Sequence, residues 1–168
     1  MALFNKDGFT TGGRHQIHLA AGDGDVKTVK ELLNKGISPD IETRHYSNFT
    51  PLHNAGQAGE LNTVKLLVER KATIDKTNWY QETAVHVACR KGHVSIVEYL
   101  LDHKADINKS NKYSWTPVMT AIYHTRLDVV QLLVERGADL TRQLQDGQTA
   151  LDVALEEHTI PRLVQSAV

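Results

Sequence analysis

Nine histidines, one cysteine and a Gly-Asp-Gly-Asp run are the residues of this 168-residue chain whose types could support chemistry. Imidazoles ligate zinc or move protons near neutral pH, but no histidine pair here has the i, i+4 arrangement with a third ligand that zinc requires, so no metal is expected. His93 falls in a turn between two apolar stretches, and His103 stands at the end of one, where a helix dipole favours a cation. Cys89 follows an alanine on an apolar stretch and reads as a small core residue rather than a nucleophile. Gly22-Asp23-Gly24-Asp25 looks like the start of a calcium loop but lacks the later ligands. No G-x-S-x-G, phosphate-binding glycine loop or dinucleotide fingerprint occurs. An enzyme would have to work from a cluster such as His124, Arg126 and Asp128, and no catalytic residue or cofactor is assigned.

The elements that position these residues follow from composition and period. Apolar residues make up 40% of the chain, enough for the core of about one domain. The formal net charge of −1 supplies no global field toward nucleic acid or an anionic membrane. One cysteine excludes an intramolecular disulfide, and no apolar run approaches a membrane span. The N-terminus meets a charge at Lys6 before an apolar core can develop, so no signal peptide is expected. An intracellular location, cytoplasm with the nucleus or a host cell as variants, is the simplest expectation.

Threonines at 50, 83, 116 and 149 stand 33 residues apart and open related stretches: Thr50-Pro51-Leu52-His53, Thr83-Ala84-Val85-His86, Thr116-Pro117-Val118-Met119 and Thr149-Ala150-Leu151-Asp152. An alanine follows each threonine by five residues, and a second apolar run with helical spacing begins near residue twelve of the unit. A degenerate copy starts near His15, 35 residues before Thr50, which places two extra residues between Pro39 and Asn48. Threonine suits the N-cap of a first helix and proline its N1 position, while Gly59 and Gly92 suit a positive-φ turn before the second helix. Helices this short cannot bury an apolar face alone, so the units must stack.

At these residues the chain resembles the ankyrin-repeat family, whose mark is T-P-L-H-x-A. The resemblance implies a mainly α solenoid of stacked helix pairs with short β-hairpin fingers: an N-terminal tail at 1–13, repeats at 14–49, 50–82, 83–115 and 116–148, and a C-terminal cap at 149–168 with a short second helix from Pro161. It implies structural roles for His18, His53 and His86 as struts between repeats, and a non-catalytic, monomeric module that binds another protein. The glycine usual two positions before the threonine is Asn48, Gln81 and Ser114 here, and only Gly147 is regular. Fingers two and three are therefore expected to bend or tilt. Thr125 replaces the inter-helix glycine, and Met119 and Asp152 replace the motif histidine.

The resemblance also places binding on the fingers and the exposed side of the first helices, which carry seven of the chain's ten aromatic residues. The expected contact strip is Tyr46, Phe49, Trp79, Tyr80, Tyr113, Trp115 and Tyr123, with Arg44, Arg90, Lys91 and Lys112 adding charge and acidic residues toward the last repeat. Two alternatives stand beside it. The rings could brace neighbouring fingers, or stack on nucleic-acid bases, which would need a basic groove.

Overall fold

A computed structural model describes residues 8–10, 14–44 and 47–156. Nine helices occur among them, in pairs: α1 (Gln16–Gly22) with α2 (Val26–Asn34), α3 (Pro51–Ala58) with α4 (Leu61–Glu69), α5 (Ala84–Lys91) with α6 (Val94–Asp102), α7 (Pro117–Tyr123) with α8 (Leu127–Glu135), and then α9 (Ala150–Glu156). The expected second helix from Pro161 lies outside the described residues. Odd-numbered helices pack side by side as one layer and even-numbered helices as the other. The core between them is built from aliphatic residues, with Ile17, Leu52, Leu67, Ile96, Leu100, Met119 and Leu133 sealed from solvent and Cys89 among them.

Each first helix starts where the sequence places it. Thr50 and Thr83 are extended residues whose hydroxyls accept from the backbone N–H three residues on, while His53 and His86 bond back to the threonine N–H through Nδ1, at 3.2 and 3.1 Å. This reciprocal box satisfies donors that a helix N-terminus otherwise leaves orphaned. Gly59 (φ 89°) and Gly92 (φ 84°) make the left-handed turn to the second helix. A methyl group on Gly59 would stand 2.8 Å from the His93 ring and displace it, but the positive φ is what makes that turn favour glycine. Thr125 replaces the glycine at φ 53°, and α7 ends correspondingly early, at Tyr123.

The fingers are turns closed by a backbone rung, and isolated bridges join Phe9 with His15 and Gln143 with Thr149. Asn78 N–H donates to Glu82 O at 2.9 Å, Asn111 N–H to Trp115 O at 2.9 Å and Leu144 N–H to Gln148 O at 2.8 Å. In the first full finger Thr43 N–H donates to Phe49 O at 2.8 Å, so the two extra residues sit inside the fingertip. Thr10 N–H to Arg14 O repeats the rung at 2.8 Å, and Phe9 is buried. The described residues of the segment read as an N-terminal tail, 8–10, thus pair with the start of the first repeat.

The expected bend at Gln81 and Ser114 does not occur. Both adopt the left-handed conformation, at φ 57° and 64°, and close the same rung as Gly147. The compensation is a side chain: Asn78 Oδ1 accepts from Tyr80 N–H (2.8 Å) and Glu82 N–H (3.0 Å), and Asn111 Oδ1 accepts from Tyr113 N–H (2.9 Å) and Trp115 N–H (3.0 Å). Each asparagine offsets the conformational cost with two hydrogen bonds.

Candidate protein-binding surface

Fingers are held to their neighbours from two sides. Trp79 N–H donates to Ser47 O at 3.1 Å and Lys112 N–H to Tyr80 O at 2.9 Å, which links the fingertips in a row. From behind, Nε2 of His18, His53 and His86 donates to Ile41 O (2.9 Å), Glu82 O (2.9 Å) and Trp115 O (3.1 Å). Because Nδ1 of His53 and His86 accepts from the threonine N–H, Nε2 must carry the proton, and the neutral imidazole is the form that fits. Burial accordingly pushes the pKa of all three rings down, that of His53 to about 4.

This frame presents aromatic side chains to solvent. Trp79 is 55% exposed, Tyr80 45%, Tyr113 51% and Tyr123 49%, although the core beneath is aliphatic. The Lys112 ammonium lies 5.7 Å from the Trp79 ring centroid. Phe49 and Trp115 are half-buried instead: Phe49 packs against His53 at 5.3 Å between ring centroids, and Trp115 rests on the core and meets Tyr123 edge-to-face at 5.2 Å.

Trp115 and Tyr123, with Tyr113, Asn111 and the Thr120 side chain, wall a cleft of about 190 Å³ between the 111–115 finger and helices α5 and α7. Glu82 and Arg90 close one end. Arg90 is not the free surface charge that its position in the sequence suggests, since its guanidinium pairs with the Glu82 carboxylate, whose other oxygen accepts from Asn78 Nδ2 at 3.0 Å. Burial alone would raise the Glu82 pKa, but Arg90 and Asn78 outweigh it and hold the carboxyl below its ordinary value.

The remaining expected residues scatter around this centre. Lys91 is exposed at the end of α5. Arg44 lies at the far end, with its guanidinium 4.0 Å over the Phe9 ring, and Tyr46 is outside the described residues. Of His124, Arg126 and Asp128, Arg126 donates its Nε–H to Arg90 O at 3.0 Å, the same backward reach that His93 makes to Gln57 O at 3.2 Å. Burial raises the Cys89 thiol far above its ordinary pKa, which suits a core residue and not a nucleophile. Among the described residues no group of three histidine, cysteine, aspartate or glutamate side chains could hold a metal, and no helix is long and apolar enough to cross a membrane. Sequence reasoning missed the Glu82–Arg90–Asn78 network, though the spacing of eight between Glu82 and Arg90 recurs between Trp115 and Tyr123, and that was a signal for residues meeting across finger and helix.

A family profile of ankyrin repeats in three copies matches residues 3–78 and 74–144, more than half of the chain. The chain belongs to the ankyrin-repeat family. Ankyrin repeats are typically non-catalytic and generally mediate protein–protein interactions. The chain is 35% identical over 60 residues to the histone-lysine N-methyltransferase EHMT1 of Mus musculus, covering 36% of this chain and 5% of that protein. It is 36% identical over 75 residues to serine/threonine-protein kinase 12 of Arabidopsis thaliana, covering 44% and 16%, and 36% identical over 70 residues to inversin of Gallus gallus, covering 42% and 6%. Only a small fraction of each relative is spanned, so the likeness is to an ankyrin segment of a longer protein.

Proposed function

We propose that this ankyrin stack is a non-catalytic adaptor, scaffold or inhibitor that docks one protein partner on its finger and first-helix surface, centred on fingers 78–82 and 111–115 and helices α5 and α7. One observation carries the reading: four aromatic rings stand about half exposed in one sector, above a core that has no need of them. Burying one large side chain is worth roughly 1.5–3 kcal/mol, so rings left in water forgo that gain until something covers them. Tryptophan and tyrosine are also the residues that concentrate binding energy at interfaces. A single buried cysteine suits a reducing, intracellular setting.

The test compares three immobilised baits in a lysate: the native chain, Trp79→Ala/Tyr80→Ala, and Glu69→Lys on the outer helix layer. Proteins retained by the native and Glu69→Lys baits but lost from the double alanine bait are the expected result. Equal capture by all three, with unchanged circular-dichroism melts, would overturn the reading.

A further inference from the structure

We infer that the cleft walled by Tyr113, Trp115 and Tyr123 receives one large apolar side chain from an extended acidic segment of the partner protein; the inference rests on the docking surface proposed above. The interior of the cleft favours an apolar guest. Three rings line it beside His124, while the Asn111 side-chain oxygen already accepts from Tyr113 and Trp115 N–H and the Thr120 hydroxyl already donates to Thr116 O at 3.1 Å. The carboxylate that opens into it, Glu82, is neutralised by Arg90. A charged guest would lose its hydration and find no unpaired counter-charge, whereas an aliphatic or aromatic one gains contact with three rings.

The surface beside the cleft has the opposite character. Lys112 stands between the lining residues Asn111 and Tyr113, Lys91 and Arg126 line a separate groove that begins at the end of α5, and none of these three exposed cations has a carboxylate salt-bridge partner among the described residues. Lys112 faces the Trp79 ring, and Arg126 spends its Nε on a backbone carbonyl. One carboxylate, Asp128, shares the groove of Lys91 and Arg126, and Asp146 is exposed on the side toward the last repeat. A segment with its acidic residues lying over α5 and the 78–82 finger, and its apolar anchor in the cleft, matches both features. Phosphates would also meet these cations, but three scattered charges beside an acidic flank on a chain of net charge −1 favour a peptide over nucleic acid.

The test selects random peptides from a display library on the full chain, then measures the best synthetic peptide by fluorescence polarisation against the native protein, Tyr123→Ala and Lys91→Glu/Lys112→Glu. The expected selection is enriched in aspartate and glutamate beside one large apolar residue. Affinity should fall by about tenfold or more in each variant, and the native affinity should weaken as salt rises. Selection of basic or neutral peptides, no selection at all, or affinity unmoved by both variants would overturn the inference. So would a fluorescent oligothymidine that binds more tightly than the selected peptide. Failure here while Trp79→Ala/Tyr80→Ala still abolishes capture would leave the docking surface standing and remove only its acidic, anchored guest.

Discussion

The first three repeats and the last two solve one problem differently. In the first three, His18, His53 and His86 cap their own helix and reach a loop or finger carbonyl on the same side of the stack. In the fourth, Met119 fills the position as a sealed apolar side chain, and Thr116 is left to cap through its hydroxyl alone, 3.5 Å from Met119 N. In the fifth, Asp152 accepts from Thr149 N–H at 2.8 Å, which reproduces the capping half of the histidine's work. Glu82 O and Trp115 O each receive two hydrogen bonds, one from the finger's own asparagine N–H and one from an imidazole, and these are the fingers that border the aromatic cleft. The doubly held carbonyls thus belong to the fingers that carry exposed rings, an arrangement that would suit the proposed docking surface by reducing reorganisation on binding.

Acid breaks this contrast most strongly. An unfolded imidazole takes up a proton near pH 6.5, while the buried His53 resists until about 4, so between those values the unfolded chain holds more protons and stability falls as pH falls. His53 alone should cost on the order of 3 kcal/mol across that window, with His18 and His86 adding in the same direction, and urea unfolding at pH 7, 5.5 and 4 reads the loss. His53→Gln should flatten the profile.

At constant pH, His53→Ala leaves both the Thr50 N–H and part of the Glu82 carbonyl unpaired and should cost roughly 2–4 kcal/mol, whereas Met119→Leu should cost less than about 1.5 kcal/mol. Similar losses in both would erase the distinction between pinned and unpinned fingers. Among the rings, Trp115→Ala should destabilise by roughly 2 kcal/mol because it rests on the core, while Trp79→Ala should stay within about 0.5 kcal/mol. A melting curve of each separates bracing from binding aromatics. Last, Gln81→Gly should stabilise by about 0.5 kcal/mol and Gly147→Ala destabilise by about 1 kcal/mol, since both positions hold positive φ and only one has a side chain to accommodate. Asn78→Ala should make Gln81 costlier still, and denaturant midpoints of the single and double variants would show whether the asparagine carries the turn.

Much of this architecture was legible in the chain because it is periodic and local. The threonines at a spacing of 33 residues are N-caps and the glycines between helices have positive φ, as the pattern implied, and the motif histidines are struts, as the family resemblance implied. The aromatic strip was legible only as positions. That Trp79 and Tyr80 stand in solvent while Phe49 and Trp115 lean inward depends on whether a ring finds a neighbour across the finger, which neither residue type nor period states. The expected bend at Gln81 and Ser114 failed for a related reason: propensity judges a residue alone, and Asn78 and Asn111 supply the missing support from three residues upstream.

By itself, then, the sequence determined the stack: cap, turn and apolar stripe recur at one period, and each is decided within a few residues of chain. The cleft belongs to the tertiary structure. It exists because a finger residue and a helix residue eight positions later face each other, Trp115 with Tyr123 and Glu82 with Arg90, and because adjacent repeats bring those two pairs side by side. Charge pairing between Glu82 and Arg90 cancels one cation that the chain's pattern assigned to the surface, and packing leaves Lys91, Lys112 and Arg126 exposed. Such pairings depend on distance in space, so residue identity and spacing could nominate the surface but could not select which of its charges and rings remain available to a partner.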